Sequence, residues 1–248
     1  MTMRRRLSAL LLAAPLALAL AACSDNEAEE TSLSGEPIAA IAAPEGESWT
    51  DMAAETEMGG VLVGNPDAPL KLVEYASHTC SHCATFSAEA HEPLQGYIDS
   101  GVVSLELRNQ VHDGIDLTFA MLARCGGTST FYPLATQGWA ELGTIIANAQ
   151  ANGEALNAAM MAEGDDRFQR IAAASGLLDW FAARGISQDQ ALTCLADPAV
   201  AETIIERSTT QSDELDVTGT PTFFLNGNKL EANSWAGIEP ILQEAGAR

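Results

Sequence analysis

Basic residues are scarce. The 248-residue chain holds 12 Lys and Arg against 34 Asp and Glu, a formal charge of −22. Three of the bases, Arg4, Arg5 and Arg6, precede an apolar run; without them 9 bases face 34 acids, or −25. Such a chain repels nucleic acid and anionic lipid surfaces. Its acidity reads as a solvated surface with no specific ligand. Apolar runs of membrane-spanning length are missing as well: Leu7–Ala22 is short for a span and leads into a polar tail. There is no internal repeat and no low-complexity tract. Cysteines are few, at Cys23, Cys80, Cys83, Cys125 and Cys194, and only Cys80 and Cys83 sit at metal-ligand spacing. A structural zinc site typically needs two such pairs, so this single pair argues for redox chemistry over zinc.

The N-terminus has the form of a targeting segment over residues 1–22, with the Arg triplet as n-region and Leu7–Ala22 as h-region. Leu20-Ala21-Ala22-Cys23 resembles a bacterial lipobox, which implies that Cys23 is diacylated and becomes the new N-terminus. The alternative is an ordinary cleaved signal with Cys23 a bystander. The expected location is the periplasm, with the membrane contacted through a lipid anchor. An oxidising compartment makes disulfides the expected state of paired thiols, and four cysteines remain once Cys23 is set aside. Residues 23–58 are rich in Glu, Ser, Ala, Gly and Pro and read as a flexible tether, with a short helix beginning near Trp49 and Met52. The segment is too short to form a dimerisation domain with its own core, so a monomer is expected.

Residues 59–248 read as one α/β domain. Strands are expected at Val61–Val63, Leu70–Ala76 and Val102–Leu107, with a helix from Cys83 to about Ser100 that Pro93 should kink or break. This β-β-α-β order implies a crossover and a parallel pair. Only helical spacing follows, over a block expected to span 116–215. Strand signals return at Val217, a hairpin turn is expected at Asn226-Gly227, and a helix closes the chain from Trp235.

Cys80-Ser81-His82-Cys83 lies between the Leu70–Ala76 strand and the helix after it. Thiols three apart at such a junction can close on each other, and the helix N-terminus stabilises a thiolate. Cys80, ahead of the helix, is the expected nucleophile. Cys83, one turn in, is expected to be buried and to resolve the mixed disulfide. His82, flanked by both thiols, is positioned to lower the Cys80 pKa. His78 is read as a surface-loop residue, and His91 and His112 as structural. Glu74 shares a strand face with Leu72 and Ala76; as a buried carboxylate it would exchange a proton with Cys83. Cys125 and Cys194 are expected to form a structural disulfide. Closing 69 residues (194 − 125) would contribute about 4 kcal/mol by chain entropy.

A CxxC after the second strand, a helical insertion, and Gly219-Thr220-Pro221-Thr222 before a hairpin together resemble the thioredoxin fold of DsbA-like thiol:disulfide oxidoreductases. The likeness covers about Gly59 to Arg248. It departs at Ser81, where the best-known oxidants of the family carry Pro. The resemblance implies a central mixed sheet and a cis Thr220-Pro221 bond that presents the Thr220 backbone to an extended substrate. It implies reduced, unfolded exported proteins as substrates and a DsbB-like, quinone-linked membrane oxidase as partner. No cofactor is expected. Two alternatives stay open: an isomerase or reductase kept reduced by a membrane partner, and a copper or zinc protein gripping metal with His78, Cys80, His82 and Cys83.

Overall fold

The computed structural model describes residues 35–248. The targeting segment and Cys23 lie outside the described residues. Six strands form one sheet: β1 (Ala53–Glu55), β2 (Val61–Gly64), β3 (Leu70–Ala76), β4 (Val103–Asn109), β5 (Thr222–Leu225) and β6 (Asn228–Lys229). Their order is β1-β2-β4-β3-β5-β6. The expected parallel pair is β3 with β4, joined over helix α1 (Ser81–Asp99); every other pairing is antiparallel. Helix α1 continues through Pro93 and turns Cys83, Phe86, Ala90, Leu94 and Ile98 inward.

Eight helices lie between β4 and β5: α2 (Gly114–Cys125), α3 (Thr128–Ala140), α4 (Leu142–Ala151), α5 (Gly153–Met160), α6 (Arg167–Ser175), α7 (Leu177–Ala182), α8 (Gln188–Leu195) and α9 (Pro198–Glu214). Helix α10 (Trp235–Glu244) closes the chain. Helix α2 is the axis of the insertion, with every residue from Ile115 to Ala123 buried. Helices α3 and α4 break at Glu141. Gly138 stays within α3, where Phe119 fills the space a Cβ would take. A second break, unforeseen in the sequence, is Gly176, whose φ of 78° turns α6 into α7. Side chains cap two of these helices: Ser187 accepts from the Gln190 N–H, and Asp197 from the Ala199 N–H.

The tether expected over 23–58 is corrected for its described part. The Gly35 and Ile38 N–H groups donate to Glu244 and Gly246, and the Ile41 N–H donates to Ser100. The Trp49 indole is buried and donates to the Ile41 carbonyl at 2.7 Å. Strand β1 pairs with β2 and extends the sheet. Composition marked this stretch as unable to build a core. What holds it is a backbone ladder and one anchored aromatic on a core built elsewhere.

Two main cores flank the site. One lies within the insertion, around Phe119, Leu122, Phe131 and Phe181; the other joins β3 to α1 and α10, around Leu72, Phe86, Ile98 and Trp235. On one face of β3, Leu72 belongs to the second core and Ala76 to the first. Glu74 falls between them.

Candidate active site

Helix α1 starts from Cys80, which takes the N-cap position with extended backbone (φ −84°, ψ 120°). Its sulfur accepts from the Cys83 N–H at 3.4 Å, in the role an N-cap oxygen usually plays. Cys80 is half-buried and Cys83 fully buried, and both thiols are free. The asymmetry separates their acidities. The Cys83 thiol, the Thr220 side chain and the Cys83 and His82 N–H groups all donate to the Cys80 sulfur and outweigh its partial burial, bringing it down to about 5. Cys83 moves the other way, first through burial, then through its bond to Cys80 and the charge of Glu74.

The loop carrying Thr220 comes from the far side of the helical insertion and lies beside Cys80. The Thr220–Pro221 bond is cis. The Cys80 thiol donates to the Thr220 carbonyl at 3.3 Å, which places the loop backbone against the half-buried thiol. Glu74 lies behind the dithiol, opposite Leu107 on β4 and Phe223 on β5. It is buried with one carboxylate oxygen unpartnered. Burial, and then the Cys80 thiolate, hold its proton up to about 8. The structure thus brings Cys80, Cys83, Glu74, Thr220 and Pro221 to one place. His82 is next to them in sequence but exposed, and its imidazole makes no hydrogen bond among the described residues. Its contribution to Cys80 is the backbone N–H. Cys125 and Cys194 are joined as a disulfide across α2 and α8, with Cα atoms 6.1 Å apart.

Two readings of histidines are corrected. His78 is not on a surface loop: its ring is buried against Phe119 at 4.5 Å, Trp139 at 5.6 Å and Phe131 at 6.2 Å. Burial, and then the charge of Arg124, lower its pKa to about 3, so it is neutral, and its Nε2 faces the Asn109 amide at 3.1 Å. His112, read as structural, reaches the cis-proline loop: its Nε2 lies 3.3 Å from the Thr220 hydroxyl. With His78 committed to the core, the four-residue metal grip does not assemble. Among the described residues, no three His, Cys, Asp or Glu side chains meet at metal-binding spacing.

Asp116 was missed entirely. One carboxylate oxygen accepts from the His78 N–H at 2.7 Å and the other from the His112 N–H at 2.9 Å. It therefore ties the loop leading into Cys80 to the loop that touches Thr220. It is buried, and the cost of burial outweighs these bonds and raises its pKa to about 6. Nearby, the Trp139 indole donates to the Ser77 carbonyl at 2.9 Å and Thr79 donates to Asp113 at 2.8 Å. Tyr132 was missed too; it packs against both main cores, and burial, then the charge of Glu74, pushes its pKa above the usual phenol range. The available signal was weak: Asp113 and Asp116 have N-cap spacing at the start of α2, but their long-range partners lie over thirty residues upstream.

A mixed sheet with a dithiol at the start of its crossover helix and a cis-proline loop against that dithiol defines a thioredoxin-fold protein. A thioredoxin family model matches residues 56–244, and the chain belongs to that family. The crystal structure of protein-disulfide isomerase from Novosphingobium aromaticivorans is 32% identical, with a TM-score of 0.70, over 74% of this chain and 96% of that one. Wolbachia pipientis alpha-DsbA1 shares the fold at 22% identity and a TM-score of 0.57, over 75% of this chain and 90% of that one. A Rickettsia bellii protein named "Putative protein-disulfide oxidoreductase" is 27% identical over 75% of this chain and 64% of its own length. The chain spans less than two thirds of the length of the curated relatives it matches.

Proposed function

We propose that the protein is an exported thiol:disulfide oxidoreductase that introduces disulfides into folding proteins through Cys80 and Cys83. The observation that carries this is the split between the two sulfurs: Cys80 held down to about 5 and accessible, Cys83 buried and held up. A substrate thiolate attacks Cys80 of the enzyme disulfide. The Cys80–Cys83 bond breaks, a mixed disulfide forms at Cys80, and Cys83 leaves with the electron pair. Glu74, protonated at neutral pH, stands beside Cys83 to supply its proton. A second substrate thiolate attacks the mixed disulfide and expels Cys80 as a stable thiolate. The substrate loses two electrons and the enzyme gains them. Stabilising the reduced form in this way makes the disulfide a stronger oxidant. The Thr220 backbone aligns the substrate beside Cys80 by strand-like pairing.

Reoxidation is assigned to a DsbB-like, quinone-linked membrane partner, and a lipid on Cys23 would hold the enzyme, as a monomer, at the periplasmic membrane surface. The isomerase named for the Novosphingobium relative favours one second reading, in which the same dithiol is kept reduced and reshuffles wrong bonds. Equilibration of the Cys80–Cys83 pair against glutathione, with oxidative refolding of a reduced protein and a Cys80→Ser control, separates them. An oxidising potential with refolding that needs Cys80 supports the oxidase. A potential near that of cytosolic reductants overturns it, and equal refolding by Cys80→Ser overturns dithiol chemistry altogether.

A further inference from the structure

A cavity of about 440 Å³ opens where β1 and β2 meet α3 and α9, apart from the dithiol. Val61, Phe131, Val200 and Ile204 make its apolar wall, and Arg124 and Arg207 line it. Two acids also face it, and both are engaged. Asp197 caps α9, and Glu55 pairs with Arg207 at 3.2 Å, where both side chains are about half exposed.

Arg124 is different. Its guanidinium lies over the Phe131 ring at 4.7 Å. One terminal nitrogen donates to two neutral acceptors, the Gly59 carbonyl at 3.0 Å and the Asn109 side chain at 2.7 Å. Its Nε–H is buried with no acceptor, and among the described residues it makes no ion pair. A largely buried cation that makes no ion pair is costly: burial first, opposed by the charge of Glu55 and aided by that of Arg207, pulls its pKa down to about 10. In a chain with 12 bases against 34 acids, such an unpaired cation beside an open apolar cavity asks for an anion from outside.

We infer that this cavity binds a small organic acid, its carboxylate on Arg124 and Arg207 and its hydrocarbon tail on Val61, Phe131, Val200 and Ile204. A guanidinium matches a carboxylate in two-pronged geometry, and the cavity is of small-ligand size. The apolar wall and the nearby Glu55 and Asp197 select a single negative charge with a tail over a multiply charged phosphate. Glu55 competes with the ligand for Arg207.

Octanoate is the probe, titrated calorimetrically into the full chain. One saturable site is expected, with octan-1-ol and acetate each weaker by about tenfold or more, one ionic contact being worth a kilocalorie or so. Arg207→Ala should weaken binding and Glu55→Gln should strengthen it. Ile204→Trp, which fills the cavity, should abolish binding while leaving the dithiol's exchange rate unchanged. Arg207 and Glu55 are half exposed, so their variants fold even if Ile204→Trp does not. Absence of saturable binding, octan-1-ol binding as tightly as octanoate, or undiminished binding by Arg207→Ala would each overturn the assignment. The Cys80→Ser chain should bind octanoate normally, so this result stands or falls apart from the redox chemistry.

Discussion

Glu74 should make the reduced protein less stable as pH rises, and Glu74→Gln should remove that loss. The carboxyl ordinarily titrates near 4.5 and in the folded chain near 8, because burial between two cores, and then the Cys80 thiolate, oppose its charge. Unfolding therefore releases a proton throughout that window. The contribution of this group is full below 4.5, falls as pH rises, and is gone above 8. Each pH unit within the window costs about 1.4 kcal/mol. Summed from the unfolded value, the loss is about 1 kcal/mol at pH 5, about 3 kcal/mol at pH 7, and levels off near 5 kcal/mol above pH 9. Gln cannot ionise and is close in shape. A buried amide that lacks partners adds an offset of about 1–3 kcal/mol, but that offset does not vary with pH. Urea denaturation of the reduced wild type and Glu74→Gln at pH 5, 6, 7 and 8 isolates the effect as a difference that grows in favour of the variant. Repeating it in a Cys80→Ser background should lower the plateau, since the thiolate contributes to the shift. Stability curves that run parallel across this range would refute a buried, proton-holding Glu74. The same variant should slow each turnover in which Cys83 must gain or lose a proton.

Alkylation of the reduced enzyme by iodoacetamide should follow a single ionisation near pH 5 assigned to Cys80; a midpoint near 8.5 would mean that the N–H and thiol donors around its sulfur do not act. Cys125→Ala with Cys194→Ala should lose about 4 kcal/mol of unfolding free energy by chain entropy, measured under conditions that keep the dithiol reduced. Asp116→Asn should raise the Cys80 midpoint and weaken peptide binding, since it loosens both the His78 and His112 attachments; loss of stability with an unchanged Cys80 midpoint would confine Asp116 to a scaffold role. His112→Ala should raise the KM for a peptide substrate with little change in the Cys80 midpoint, because its contact is with Thr220 and not with the thiol.

The parts of the site that are legible in the sequence are those whose chemistry is local. Cys80 caps the helix that follows it, Cys83 lies one turn further in, and Glu74 interrupts an apolar strand with period two, so each declares its position from its neighbours. The frame is legible for the same reason, since the crossover from β3 to β4 and the Asn226-Gly227 hairpin follow from short-range patterning. His78 and Asp116 were not, because what they do depends on partners 31 and 38 residues apart in the chain, at Asn109 and between His78 and Asp116. A histidine two residues before an exposed cysteine looks solvent-facing until α2 and α3 are known to bring Phe119, Phe131 and Trp139 over it. The β1 strand was hidden in the opposite way: Ala53-Ala54-Glu55 has no strand pattern of its own and is held by the edge that β2 offers. The helical insertion therefore has a role that its sequence never announces. Its first helix supplies Asp116, its second carries Tyr132 and lays Trp139 over His78, and its last leads into the Thr220 loop, so the insertion braces the segment that enters the dithiol while Glu74, Thr220 and Pro221 of the frame line it.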